Sequence, residues 1–363
     1  MTMLRRSRAL PLTVSIVMLD RVIAPAMTGC RAAGEARRDK NTPNQTASKD
    51  RTQTRTERRA QANDAVVTAQ QKMSEGDMEA ALREFERAIA VNPAMTVAYI
   101  GAGDIHRRQG NLSAAENNYA RAAQLEPRNF DAQFGHGLVL QLMNRLGESI
   151  QAYLRALTIR PGDFETNLNI ATAYLQVGEP AQALAFAQRA VAVTPDSGEA
   201  RVNLGATYAA LNQHEQAVIE FQQAAELMDL SPRLLLSLAD SLGHAKRHAE
   251  MVATLDQLIR IEPSAIAYER MGSGLFRLRR YDAALESFQK ALSMDSGHFP
   301  ALNGVAVCQL NEFLWSGQRD TSSLGDAVVA LRRSLQLEPG QPQIVELLRR
   351  YGAGANRAQA SGG

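Results

Sequence analysis

The chain has 363 residues, of which 45% are hydrophobic and 21% are charged, and its formal net charge is +2. This length suits two average globular domains or one long repeat array. Residues 1–60 carry 13 Lys and Arg against five acids, so residues 61–363 are acidic overall, which argues against nucleic acid as a partner.

The composition favours helices. Ala, Leu, Gln, Glu and Arg are abundant and are strong helix formers, whereas β-branched and aromatic residues are sparse. No stretch alternates polar and apolar residues with a period of two for long. These features predict an all-α protein.

The first 30 residues have the layout of an export signal. Residues 4–8 are cationic, and the apolar run at 9–19 is too short to cross a bilayer as a helix. Met27-Thr-Gly-Cys30 resembles a bacterial lipobox, which implies that Cys30 is lipidated. Arg31 then implies an outer-membrane anchor that faces the periplasm. Soluble export, and a cytoplasmic protein without a functional signal, stay open as alternatives.

The segment after this signal is polar. Residues 31–61 consist largely of Arg, Thr, Gln, Asn and Lys, with almost no large apolar side chains. Such a segment buries too little surface to offset the entropy lost on ordering. We therefore expect a disordered tether at 31–61.

Prolines then recur at a fixed interval. Pro93, Pro127, Pro161 and Pro195 are each 34 residues apart, and each ends a similar apolar segment. Proline lacks an amide donor and clashes with the preceding turn, so each one predicts the end of a helix. The same ending occurs before Pro263 and Pro339.

A second pattern recurs in phase with the prolines. It consists of a small residue, an aromatic residue four positions later and Ala three positions after that, all on one helix face. Two sets depart from this pattern: the one at Ala187 has no aromatic residue, and the one at Leu255 has aliphatic side chains at all three positions. The sets are Ala81/Phe85/Ala88, Ala115/Tyr119/Ala122, Ser149/Tyr153/Ala156, Ala183/Ala187/Ala190, Ala217/Phe221/Ala224, Met251/Leu255/Leu258 and Ala284/Phe288/Ala291.

This period and these positions resemble the tetratricopeptide repeat over about residues 62–340. The resemblance implies a right-handed α-solenoid of about eight helix pairs, with units starting near 62, 96, 130, 164, 198, 232, 265 and 299. Unit eight is interrupted by about nine extra residues around Trp315, between helices expected at 299–310 and 324–337. We expect a capping helix at 341–351, which completes a domain at 62–351, and a disordered tail at 352–363.

In this family, the first helix of each unit lines a concave groove that binds peptides. The positions that the resemblance places there form an apolar stripe with two Asn residues, which resemble an Asn ladder that binds a peptide backbone. Packing between units, or hydrogen bonding within the array, is the alternative role for each. The groove candidates are Ile100, Phe134, Leu138, Leu142, Leu168, Asn169, Leu175, Val202 and Asn203.

Nothing in the sequence indicates catalysis. Gly135-His-Gly137 lies within a predicted helix and lacks the context of a phosphate loop. His244 and His248 are the one pair with metal-ligand spacing, but no Cys and only scattered acids lie near them. We expect no enzyme activity, cofactor, metal or small-molecule substrate.

The sequence therefore predicts a scaffold that binds a protein or peptide in the groove. A structural lipoprotein of a cell-envelope machine, similar to those of type IV pili, is the first alternative. A non-catalytic subunit of an enzyme complex is the second. Trp315 is expected in the inserted loop, either covering exposed core or anchoring a partner.

Overall fold

The computed structural model describes the backbone of residues 45–361 and the side chains of residues 54–353. Every regular element in that part of the chain is an α-helix, which confirms the predicted fold class. From Thr54 onward the described helices belong to one compact unit. The predicted signal and the lipidation candidate Cys30 lie outside the described residues.

The helices form antiparallel pairs, in which odd-numbered A helices alternate with even-numbered B helices. In chain order they are α1 (Gln45–Ser74), α2 (Met78–Val91), α3 (Thr96–Arg108), α4 (Leu112–Leu125), α5 (Phe130–Leu142), α6 (Leu146–Ile159), α7 (Phe164–Gln176), α8 (Pro180–Val193), α9 (Gly198–Ala210), α10 (His214–Leu227), α11 (Pro232–His244), α12 (His248–Ile261), α13 (Ala265–Arg277), α14 (Tyr281–Met294), α15 (Phe299–Trp315), α16 (Thr321–Leu337) and α17 (Pro342–Ser361). From α2 onward each helix packs against the next one in sequence.

Prolines and turn residues set the helix ends as predicted. Pro93 lies two residues after the last residue of α2, and Pro127 lies two residues after the last residue of α4. Gly76, Gly110 and Gly178 hold the A–B turns with φ angles of +83°, +77° and +78°. Glycine suits this left-handed backbone because it has no Cβ.

Where a B helix carries the aromatic residue of the repeat, the ring packs between the A helix of its own unit and the A helix of the next. Tyr119 of α4 is 1% exposed. A Cβ added at Gly103 of α3 would lie 3.1 Å from its ring, and one at Gly135 of α5 would lie 2.2 Å from it. Phe288 sits in the same way between Gly272 and Gly304. Small residues on both A helices therefore allow the ring to enter.

The two irregular units fill this space differently. In unit four Ala187 replaces the ring, and neighbouring Phe186 stacks on Tyr174 with ring centroids 5.8 Å apart. In unit six Met251 and Leu255 are 5% and 0% exposed, so aliphatic side chains take the place of the ring. The core thus stays continuous where the sequence pattern fails.

The second half of the segment predicted as a tether belongs to helix α1 in the structure. Helix α1 begins at Gln45, so residues 45–61 are helical. Gln, Arg, Glu, Lys and Ala have good helix propensity, and the helix extends from the packed turns that follow. Most side chains from Thr54 to Gln61 are exposed, as the polar composition requires.

The segment predicted as a disordered tail lies largely within α17, which continues to Ser361. Its last residues include Ala, Arg and Gln, which propagate a helix once the preceding turns are packed. The cap itself is confirmed. Ile344 is 8% exposed and belongs to the same apolar cluster as Phe313 and Leu331.

The insertion in unit eight lengthens two helices instead of forming a long loop. Helix α15 runs to Trp315 and α16 starts at Thr321, so both are 17 residues long. Phe313 and Leu324 are 7% and 4% exposed, and burying these apolar side chains favours the added turns. Trp315 is 70% exposed, so it does not cover the core.

The packing of Tyr119 generates a stability prediction for two glycines. Gly135→Ala is expected to destabilise the chain by about 1–3 kcal/mol, because its methyl group would overlap the Tyr119 ring. That ring has little freedom to move, since its hydroxyl donates a 2.6 Å hydrogen bond to Asp104.

The matched control is Gly147→Ala, where a Cβ would meet nothing within 4 Å. This change is expected to be neutral or to stabilise helix α6 by up to about 1 kcal/mol. Midpoints of urea unfolding, followed by circular dichroism, check both variants. Equal midpoint shifts in the two variants would contradict the packing account.

Candidate partner-binding groove

One face of the A helices stays open to solvent. Consecutive A helices from α3 to α15 contact one another, whereas no comparable contact joins consecutive B helices in the described part. The A helices therefore lie on the inner side of the array, and we call their solvent-facing side the inner face. This is the surface to which the family resemblance assigns partner binding.

Three of the predicted apolar residues present surface on the inner face. Leu142, at the end of α5, is 54% exposed. Leu138, one turn earlier, and Leu175 of α7 are half-buried. They offer apolar area to a partner without being fully used for internal packing.

Phe134 has two roles. Its ring stacks on Phe130 with centroids 5.8 Å apart and lies tilted against Tyr153 at 5.9 Å. The guanidinium of Arg160 covers the other member of the stack, 4.1 Å from the Phe130 centroid. Phe134 is half-buried, so it joins the inner face to the core.

Other members of the predicted stripe mainly pack between units. Leu168 is only 7% exposed and packs with Ala190 and Ala200, which favours the alternative role of packing between units for this residue. Ile100 packs against the cluster that contains Tyr119, and Val202 packs against the cluster of units five and six. Both are half-buried. Position in the repeat did not distinguish contact with a neighbour from contact with a partner.

The predicted Asn ladder is engaged within the array at one of its two positions. The amide of Asn203 in α9 donates a 2.6 Å hydrogen bond to the Thr172 hydroxyl in α7. Its carbonyl oxygen is buried and has no hydrogen-bond partner among the described residues. Asn169 is half-buried. The alternative of hydrogen bonding within the array therefore holds for Asn203.

A polar cavity between α11 and α13 was not predicted. It has a volume of about 390 Å³, and Arg270 bridges it by donating to Asp240 over 2.8 Å. Arg270 also pairs with the buried Glu269 at 2.7 Å, and Ser273 donates to the same carboxylate over 3.0 Å. These side chains lie at repeat positions that face the groove. The sequence did not predict the cavity because the ion pair between Arg270 and Asp240 forms only when α11 and α13 pack together.

An apolar cavity of about 490 Å³ follows between α13 and α15, and α17 closes its far side. Phe276, Val307 and Leu347 contribute to its lining. Arg277 lines both cavities, is exposed, and takes part in none of the ion pairs among the described residues. The C-terminal half of the inner face therefore combines a free cation with an apolar recess.

The groups considered for chemistry have structural roles. A Cβ at Gly137, in the sequence Gly135-His-Gly137, would lie 2.7 Å from the ring of Tyr153, so packing explains this glycine. Burial raises the pKa of Cys308 to about 12, which keeps its thiol protonated and unreactive. No group of three or more His, Cys, Asp or Glu side chains between residues 54 and 353 is arranged to hold a metal. No helix of the described part is long and apolar enough to cross a membrane.

Family models match most of the repeat region. Tetratricopeptide repeat models match residues 68–116, 100–164, 162–229 and 265–298, which together exceed half of the chain. No curated protein sequence matches the chain.

Solved structures share the fold. PilF of Pseudomonas aeruginosa is 17% identical, with a TM-score of 0.50 over 60% of this chain and 98% of that one. A tetratricopeptide repeat protein of Parabacteroides merdae is 18% identical, with a TM-score of 0.48 over 69% and 99%. YrrB, described as having an unusual peptide-binding site, is 19% identical, with a TM-score of 0.45 over 55% and 99%. At these identities the likeness concerns the fold alone.

A pair of stacked histidines beside the polar cavity generates a pH prediction. His214 and His244 stack with ring centroids 4.4 Å apart. Desolvation, and then repulsion by His244, lower the pKa of His214 below its ordinary value. The unfolded chain therefore binds this proton more readily, and stability falls as the pH drops through the ordinary histidine pKa of about 6.5.

We expect His214→Gln to flatten this loss of stability. The remaining slope should come largely from His136. Burial lowers the pKa of this histidine, although its contact with Glu116 acts in the opposite direction. Urea midpoints of the wild type and the variant between about pH 7.5 and 5.5 give the measurement. Identical pH slopes for the two proteins would show that the stacked pair contributes nothing.

Proposed function

Because the chain belongs to the tetratricopeptide repeat family, we propose that it is a protein-interaction scaffold that holds a partner peptide along its inner face. The fold is one that typically serves non-catalytic scaffolds, and it supports the general role of protein interaction. The location of the peptide and its chemistry are the parts that we propose.

The observation that carries the proposal is the open apolar surface on α5 and α7. Leu142 is 54% exposed although its helix packs tightly on both neighbouring pairs. Together with Leu138 and Leu175 it provides one to two turns of apolar surface beside the half-buried Phe134. Apolar side chains at such spacing suit the anchors of a helix or an extended peptide.

The remainder of the inner face supports a polar part of the same peptide. Arg277 is an unpaired cation between the two C-terminal cavities, which suits an acidic side chain. We propose no nucleic-acid partner, because the repeat region is acidic overall. The ligand is therefore a peptide with apolar anchors toward units three and four and an acidic part toward unit seven.

Peptides selected by display against the full chain test this proposal. Leu142→Asp is expected to weaken their binding at least about tenfold, because it places a charge against the apolar anchors. Ile219→Asp is the matched control, since Ile219 is 50% exposed but lies on a B helix. Fluorescence anisotropy with the labelled peptides measures both affinities.

Both sites are exposed, so neither substitution should unfold the chain, and circular dichroism checks this. Equal loss of binding in the two variants, or none in Leu142→Asp, would place the peptide elsewhere and end the proposal for the inner face.

We also propose, as a second candidate, that the scaffold is a lipoprotein that takes part in a cell-envelope assembly. The sequence Met27-Thr-Gly-Cys30 supports it through its likeness to a lipobox, and it lies outside the described residues. A scaffold held at the outer membrane would place its partner at the periplasmic surface. A role as a non-catalytic subunit of an enzyme complex would be compatible with both the groove proposal and the lipoprotein proposal.

Metabolic labelling with palmitate in a bacterial host tests the anchor. The wild type and Cys308→Ser should incorporate label, whereas Cys30→Ser should not. Cys308 is a suitable control because it is the other cysteine of the chain and is 5% exposed. Unlabelled wild-type protein would rule out the lipid anchor and leave the scaffold proposal intact.

A further inference from the structure

The insertion in unit eight creates a surface that the other repeats lack. Helix α15 has 17 residues, whereas the preceding A helix α13 has 13. The four added residues, Glu312 to Trp315, form an extra turn at the end of α15, which we call the α15 tip. Its position outside the repeat pattern means that groove binding does not account for it.

The α15 tip has one buried and one exposed side. Phe313 is 7% exposed and meets the Tyr351 ring of α17 edge-on at 6.5 Å. Leu314 and Trp315 are 44% and 70% exposed. Trp315 is the most exposed large hydrophobic side chain of the described part, and such a residue is a common centre of a protein interface.

Trp315 is held in place and borders a cavity. Its ring meets Tyr281 edge-on at 4.9 Å, and Tyr281 meets Phe276 at 5.1 Å. The cavity beside it has a volume of about 690 Å³, with Leu285 and Cys308 in its lining. The aromatic contacts fix one wall of this recess, so that part of it is preformed.

Charges of both signs surround this recess without pairing. Two cations and three anions line it, and none of them takes part in an ion pair among the described residues: Arg279, Arg280, Asp282, Glu312 and Asp320. Arg279 has a φ of +58°, in a turn position that glycine fills in three earlier units. Asn144, Asn212 and Lys246 hold the equivalent turns of other units with φ of 59°, 59° and 61°, so this backbone conformation belongs to the repeat.

We propose that the α15 tip and the recess beside Trp315 form a self-association surface that binds the same surface of a second copy of the chain. A two-fold interface requires a patch that is complementary to itself. An apolar centre at Trp315 with two cations and three anions around it satisfies this requirement, because the cations of one copy can face the anions of the other. A partner of a single charge sign would be repelled either by the two cations or by the three anions.

The dimer is expected to be weak. A stable interface usually buries about 800 Å² on each partner, whereas the α15 tip is a single helical turn beside one recess. A dissociation constant on the order of micromolar is therefore expected. This inference does not depend on the groove, because no groove candidate belongs to the patch.

Sedimentation velocity of the full chain between about 1 and 200 µM tests the proposal. The wild type should shift from monomer to dimer across this range. Trp315→Ala should raise the dissociation constant at least about tenfold, because it removes the centre of the interface. Val329→Ala, which shortens a 57% exposed side chain on α16, should leave the dissociation constant unchanged.

Charge variants test the complementarity directly. The double variant Arg279→Glu/Arg280→Glu and the single variant Glu312→Arg should each be monomeric, because like charges meet across the two-fold axis. An equimolar mixture of the two should associate again, since opposite charges then face each other. Unchanged melting midpoints confirm that the variants fold.

Three results would overturn the proposal: a wild-type chain that stays monomeric at about 200 µM, a dimer that survives Trp315→Ala unchanged, and charge variants that fail to associate when mixed. A monomeric wild-type chain would also mean that Trp315 does not contact a second copy. None of these results bears on the peptide-binding proposal, whose variants lie on α5 and α10.

Discussion

The packing of one buried ring between small residues of two A helices determines the rest of this structure. Where Tyr119 enters between Gly103 and Gly135, a single methyl group would overlap it. This close approach draws consecutive A helices together and fixes the register of each pair against the next. It also uses one side of the A helices, so part of the opposite side remains open to solvent. The inner face therefore follows from the same contact that holds the array together.

Irregular units change what the inner face offers. In unit six Met251 and Leu255 replace the ring set, and Met251 lines the polar cavity between α11 and α13. The sulfur of Met251 lies near Gly243 and Gly274, so a flexible side chain fills the gap that a ring fills elsewhere. The apolar surface of units three and four thus gives way to charged side chains in units six and seven. Departure from the repeat is what gives different parts of the groove different chemistry.

The sequence predicted the helix pairs well, because their determinants are local. A proline two residues after Val91 ends α2, and Gly76 permits the turn before it, whatever the neighbouring units are. Predictions that depended on contacts between units were weaker. Leu168 and Asn203 lie at repeat positions associated with groove binding, but Leu168 packs on α8 and α9 and Asn203 donates to Thr172. The longer α15 and the Arg270 ion pairs depend on packing that a single sequence does not specify.

Photo-crosslinking tests most directly the claim that the inner face binds the partner. A display-selected peptide carrying a benzophenone side chain would be bound to the full chain and irradiated, and the modified residues would be identified by mass spectrometry. The account predicts crosslinks on α5 and α7 near Leu138, Leu142 and Leu175. Crosslinks confined to B-helix residues such as Ile219 and Val329 would contradict it.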